Sequence, residues 1–439
     1  MTRRWAAALT ALALAMGGCV RGDKPQARSV TTQATDKKVD PLREARTLAL
    51  APVKGDGAVD KMIRKRQKSA KLTPKRLDRW ILLGYAWARK ARASGDSGYY
   101  LHAKACAEIG RTLEPDNVLS PNLQGMVLLS DHRFRAAARL ARSVLQRSPR
   151  NAMALGILAD ALVELGKIDE AKTVINRMVG FKPNLPSYAR VSYLYFLKGQ
   201  PDLAKRAIRH AFDAGIGQRD REPATWVLVQ AAELFWHQGD YEGAEAGYDM
   251  ALRYYPGYSK ALLGKARCRL ALGDARGALP LVEQAHAKNP SATSAWLLHD
   301  VHRSIGNHGK ADKARAELMR LGRHDRRTLA QFLATKNIAV DKALSLARAE
   351  RRVRPGIYSE DTLAWALYRA GRYDEARAAA DRATKHGTKD ARLLYHAGAI
   401  RLAQGERGAG RTLIAAALAL NPKFDATGAV EARRLVDAR

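Results

Sequence analysis

The sequence predicts an all-α protein built as an α-solenoid of stacked antiparallel helix pairs, and three observations predict it. Ala, Leu, Arg and Glu abound while alternating Val/Ile/Thr runs are scarce, which is the composition of helix rather than strand. Prolines keep a ruler: Pro115, Pro149 and Pro183 are spaced by 34 residues, and Pro256 and Pro290 by 34 again. Between them a glycine is followed five positions later by an alanine, in Gly166/Ala171, Gly199/Ala204, Gly239/Ala244, Gly273/Ala278, Gly306/Ala311 and Gly371/Ala376. Each period therefore reads as an amphipathic helix, a tight Gly turn, a second helix and a Pro-marked exit. Hairpins of this kind bury their apolar faces only against the next hairpin, so a chain of 439 residues runs as one repeat architecture.

Taken in order, the chain opens on Met1 to Cys19, MTRRWAAALTALALAMGGC: two arginines, an apolar stretch from Trp5 to Met16, and Gly17-Gly18 before Cys19. This is a secretory layout, with an apolar stretch too short for a stable span. Met16-Gly17-Gly18-Cys19 resembles the bacterial lipoprotein box, which implies a removable signal peptide over 1–18 and lipidation of Cys19. Val20, where the same resemblance puts Asp for inner-membrane retention, favours an outer-membrane lipoprotein facing the periplasm. Residues 19–72 read as the lipidated N-terminus and a flexible basic tether. Lys61, Arg64, Lys65, Arg66 and Lys68 lie in a stretch without an acidic residue, and are expected against anionic head groups beside the anchor.

From there the pattern resembles the tetratricopeptide repeat. Trp80, Leu83, Gly84, Trp87, Ala103, Ala107 and Pro115 carry it in the first unit, allowing an insertion around Ser94 to Tyr99. Gly125, Leu128, Ala137, Ala141 and Pro149 carry it in the second, and Leu155, Leu158, Ala159, Leu162, Ala171 and Pro183 in the third. Leu228, Ala232, Phe235, Ala244, Tyr248, Ala251 and Pro256 follow, then Leu262, Ala266, Ala278 and Pro290, and lastly Leu394, Gly398, Leu413, Ala417 and Pro422. Small residues let paired helices approach while large ones fill the space between hairpins. Ten units span about residues 77 to 425, those over 293–322 and 324–355 fitting less well. An inserted loop over 217–222 divides the expected arrays, 73–217 and 218–427, with a C-terminal tail over 428–439.

No residue constellation nominates an enzyme, a cofactor or a metal. Gly405 to Thr412 nearly spells a phosphate-binding loop, but Arg411 replaces the lysine and the segment falls between two helices instead of after a strand. His299, Asp300, His302 and His308 lack metal-motif spacing. Cys106 and Cys268 sit several hairpins apart, which predicts free buried thiols. Stacked hairpins present their first helices along a concave groove suited to a peptide or helix. Tyr193, Phe196, Trp226, Trp236, Trp365, Tyr368, Tyr395 and His396 are the expected groove anchors. Lys+Arg 76 against Asp+Glu 43, a net charge of +33, predicts an acidic protein partner. Export argues against nucleic acid. The expected function is a lipid-anchored periplasmic scaffold in a cell-envelope complex. A repeat module governing cell-wall or polysaccharide enzymes by direct glycan contact, and an enzyme with an unrecognised site, are the alternatives.

Overall fold

The computed structural model describes residues 41–217 and 220–437. Cys19 and the leader segment lie outside the described residues, so the lipidation site carries no structural account. Among the described residues the secondary structure is 23 α-helices with no strand. Two helices precede the repeats, α1 (Pro41–Ala49) and α2 (Ala58–Leu72). Five hairpins follow: α3 (Leu77–Ser94) with α4 (Tyr99–Leu113), α5 (Leu119–Ser130) with α6 (Phe134–Arg147), α7 (Ala152–Glu164) with α8 (Ile168–Phe181), α9 (Leu185–Leu197) with α10 (Pro201–Asp213), and α11 (Glu222–His237) with α12 (Tyr241–Tyr254). Five more complete the array: α13 (Ser259–Ala271) with α14 (Ala275–Lys288), α15 (Ala292–Ser304) with α16 (His308–Leu321), α17 (Arg326–Thr335) with α18 (Val340–Val353), α19 (Ile357–Arg369) with α20 (Tyr373–Thr384), and α21 (Ala391–Ala403) with α22 (Arg407–Leu420). Helix α23 (Gly428–Asp437) lies in the stretch read as a tail, and buries Ala429 and Ala432.

The proline ruler acts through the residue before each proline. Clash with the pyrrolidine ring drives that residue out of helical geometry. Glu114, Ser148, Lys182, Tyr255, Asn289, Arg354 and Asn421 accordingly leave the helix, from φ −139°, ψ 90° at Glu114 to φ −152°, ψ 98° at Asn421. The hairpin glycines turn the chain in the left-handed region, φ +72° at Gly166 and +83° at Gly405, where a Cβ is strained. His132 (φ +56°) and Asn337 (φ +52°) take that role in α5–α6 and α17–α18, which is why the glycine pattern skips those hairpins. The alanine five positions on is buried in every marked unit.

Part of the segment expected to be a tether is packed structure instead. Helix α2 puts Ile63, Gln67 and Ala70 against the first hairpin. Trp87 Nε1 donates to the Ala49 carbonyl at 2.9 Å, and Gln67 Nε2 to that of Ala51 at 2.8 Å. The physical reason is capping: the first repeat of a solenoid has an apolar face with no preceding hairpin to cover it. Packing also continues across the 217–222 connection, because Ile208 and Ala211 share one apolar cluster with Val227 and Leu234.

Later hairpins lie against earlier ones. Thr388 Oγ1 donates to the Leu197 carbonyl at 2.6 Å, Asn421 Nδ2 to that of Trp236 at 2.7 Å, and Arg135 Nη1 to that of Arg352 at 2.8 Å. The hairpin turns of the first five hairpins (α3–α12, the first run) thus meet the inter-unit connections of the last five (α13–α22, the second run). A Cβ on Gly166 would stand 2.5 Å from the Pro355 carbonyl oxygen, and one on Gly199 would collide with that of Gly387. The equivalent glycines of the second run, Gly273, Gly306, Gly371 and Gly405, face open space.

Candidate partner-binding site between two runs of repeats

Most of the expected aromatic anchors are consumed by packing. Phe196, Trp236, Trp365, Tyr395 and His396 are each at most 5% exposed. Trp365 stacks between Tyr368 at 4.7 Å and His396 at 4.0 Å, with the Arg369 guanidinium 4.4 Å above its ring. His396 Nδ1 lies 2.8 Å from Asp361 Oδ1. Trp236 carries Arg267 at 4.2 Å. These side chains occupy the first-helix positions that join one hairpin to the next, so the repeat signal that revealed them also marks them as core. Trp226 and Tyr368 are half-buried, and only Tyr193 keeps a large exposed fraction, 40%.

The first helices of both runs bring polar groups together. His237 of α11 lies 3.6 Å from Asp390, which caps α21 by accepting the Arg392 N–H at 2.9 Å. Glu233 accepts from Tyr248 and from Arg267, both at 2.7 Å. Burial pushes the Glu233 carboxyl up, but Arg267, His237 and the Tyr248 hydroxyl outweigh it and hold it below the ordinary glutamate value. Burial holds His237 below its ordinary value, against the pull of Asp390 and Glu233.

Beside this network a small cleft of about 20 Å³ opens between the runs. Val163, Ile168, Leu197 and Ile357 make it apolar, and Tyr193, Tyr358, Arg327 and Glu164 supply its polar groups. Arg327 stands in the first turn of α17, whose entry is fixed by Asp325 accepting the Thr328 N–H at 3.2 Å. Its guanidinium lies 5.9 Å from the Tyr358 ring centroid, and among the described residues it has no ion pair or hydrogen bond. Glu164, in contrast, faces Arg354 at 3.6 Å, and Arg354 also pairs with Glu350. Burial raises the Tyr358 hydroxyl above the ordinary tyrosine value. Tyr193 was singled out by the sequence as an aromatic at a first-helix position. Arg327 was not: its unit fits the repeat pattern weakly, and no aromatic flags it.

The remaining sequence motifs have structural occupations. On α2, Lys61, Arg64, Lys65 and Lys68 are exposed and Arg66 half-buried, while Asp60, Ile63, Gln67 and Ala70 face inward. Arg64 pairs with Asp56 at 2.8 Å, and Lys90 with Asp60 at 2.6 Å. Asp300 accepts from Trp296 at 2.8 Å and Lys336 at 2.7 Å, tying α15 to the end of α17, and Lys336 also reaches Thr427. Burial raises Asp300 to about 6 and lowers His299 to about 4. Gly405 to Thr412 forms a hairpin turn and the start of α22, directly after helix α21. Cys106 and Cys268 are buried free thiols, and burial pushes Cys268 up to about 12.

Fold and repeat geometry define a helical-repeat solenoid. Tetratricopeptide-repeat models match residues 128–195 and 235–300, and a second such model matches 362–424, so the chain carries tetratricopeptide repeats. No curated protein matches it. Among solved structures it is similar to PilW, a widely conserved type IV pilus biogenesis factor, at 18% identity over 45% of this chain and 90% of that one, TM-score 0.39. It is also similar to the APC/C Cut9–Hcn1 hetero-tetramer, at 14% identity over 90% and 96%, TM-score 0.37. The human IFIT1 dimer with PPP-AAAA is similar at 14% identity over 86% and 99%, TM-score 0.48.

Proposed function

We propose that the chain is a non-catalytic, lipid-anchored scaffold of the bacterial envelope, held by acylated Cys19 in the outer membrane facing the periplasm, and that it docks a protein partner where its two runs of repeats meet. The observation that carries the docking is the cleft beside Tyr193, lined by apolar side chains together with Tyr193, Tyr358 and the Arg327 guanidinium, which has no ion pair among the described residues. Stacked tetratricopeptide repeats, which suit protein partners, support the scaffold, and the net charge of +33 favours an acidic one. The MGGC sequence supports the anchor, and the exposed cations of α2 suit an anionic membrane surface. Labelling cells with radioactive palmitate tests the anchor: the wild-type chain takes up label and fractionates with the outer membrane, and Cys19→Ala does neither. Label on the alanine variant excludes Cys19. Docking is tested by crosslinking in intact envelopes from a photoreactive residue at position 193, which captures a partner; crosslinks confined to the chain itself contradict it.

A further inference from the structure

The contact between the two runs covers the hairpin turns of the first run and the connections of the second, and leaves the first run's own connections on an open edge. A Cβ on Gly95, like those on Gly166 and Gly199, would collide with the second run, here at Asn289, whereas one on Gly180 would enter open space. Successive connections of the open edge touch one another. Arg147 Nη1 donates to the Asp116 carbonyl at 3.3 Å, Arg177 Nη2 to that of Pro149 at 3.3 Å, and the Arg150 guanidinium lies 5.4 Å from the Phe181 ring centroid. Each connection from α2–α3 to α8–α9 exposes one large apolar side chain: Leu72 at 72%, Leu119 at 40%, Met153 at 42% and Phe181 at 44%. Leu119 and Met153 each stand four residues after a ruler proline, and Leu72 and Phe181 two residues before a proline, so the row follows the repeat. Cations are interleaved with it: Lys75, Arg147, Arg150 and Lys182 are exposed and none has an ion pair among the described residues, against the exposed carboxylates Glu114 and Asp116. We propose that this edge rests on an anionic phospholipid bilayer, its four apolar side chains entering the acyl boundary and the cations among them meeting the head groups. This rests on the envelope-anchor reading and adds to it the face by which the array meets the membrane. The spacing favours lipid over a protein partner, because single apolar side chains separated by cations and polar backbone form no groove but fit between head groups one at a time. Pro41 follows Cys19 by 22 residues, so an acylated Cys19 keeps α1 within about 75 Å of its own membrane.

Sedimentation of the unacylated chain with vesicles tests this, phosphatidylglycerol mixed with phosphatidylcholine being set against phosphatidylcholine alone. The chain is expected to sediment with the anionic vesicles only. Leu119→Gln, Met153→Gln and Phe181→Gln together are expected to weaken that binding about tenfold or more, from the lost burial of three apolar side chains. Arg147→Gln with Arg150→Gln is expected to weaken it about thirtyfold, each cation near such a surface being worth about fivefold. Unchanged circular dichroism secures the fold of each variant. A p-benzoylphenylalanine at position 153 is expected to form acyl-chain adducts, read by mass spectrometry, and one at position 310, in the first turn of α16, to form none. Undiminished binding by the triple variant, or no lipid adduct at position 153, overturns the edge. Should changing Lys61, Arg64, Lys65 and Lys68 to Glu still abolish binding in that case, α2 alone meets the membrane. Crosslinks from position 153 to an envelope protein instead of lipid, in intact envelopes, overturn the bilayer in favour of a protein partner. Palmitate labelling of Cys19 is read independently of all these results, so failure of the edge leaves the anchor standing.

Discussion

A single hairpin position does two different jobs along the chain. Gly199 and Gly371 both turn the backbone in the left-handed region, at φ +68° and +72°. Replacing either by Ala costs about 1–2 kcal/mol from that strain alone. At Gly371 the new methyl enters open space, whereas at Gly199 it meets the Gly387 carbonyl. Gly371→Ala is therefore expected to stay within about 2 kcal/mol and Gly199→Ala to exceed it clearly, read from urea unfolding midpoints; equal effects at the two sites would remove the inter-run contact. The glycines were legible in the sequence as turns. Their second role was not, because it depends on a residue 188 positions away. The aromatic anchors show the converse: Trp236, Trp365 and Tyr395 were legible because they sit at repeat positions, and repeat positions are packing positions.

Helices α1 and α2 stand outside the repeat pattern, which is why their sequence read as tether: short, strongly basic, and without the Gly and Pro marks. Their apolar residues nonetheless cover the first hairpin, with the Trp87 indole donating to Ala49. Deleting everything before Pro74 is expected to shift Trp87 fluorescence to the red and cost about 2–3 kcal/mol, comparable to exposing a large buried side chain. Unchanged emission and stability would make α1 and α2 passengers. The outer face of α2 makes a separate prediction. Changing Lys61, Arg64, Lys65 and Lys68 together to Glu is expected to weaken binding of the unacylated chain to vesicles rich in anionic phospholipid more than a hundredfold, since each cation near such a surface is worth about 1 kcal/mol. Undiminished sedimentation with the vesicles would reduce the segment to a solvated helix face.

Across the whole molecule, burial holds six histidines below their ordinary value: His132, His237, His286, His299, His302 and His386. A group favoured neutral in the fold stabilises it above the unfolded value of 6.5, and that contribution is lost as pH falls through the folded value. Unfolding midpoints are thus expected to decline from pH 6.5 towards 4, where His299 titrates, and His299→Gln to flatten the decline by about 2 kcal/mol. A level profile over that range would contradict the burial of these rings. The solenoid was legible because each brick obeys local rules of period, turn and exit. The meeting of the two runs was not, since it is written in backbone carbonyls such as Leu197, Trp236 and Arg352 that no side-chain pattern reports. That meeting creates the cleft and carries the functional account. Its most direct test is photocrosslinking from p-benzoylphenylalanine at position 193 in the purified full chain, mapped by peptide mass spectrometry. The account predicts intramolecular crosslinks to peptides containing Arg327 or Tyr358; crosslinks confined to the hairpins adjoining α9 would contradict it.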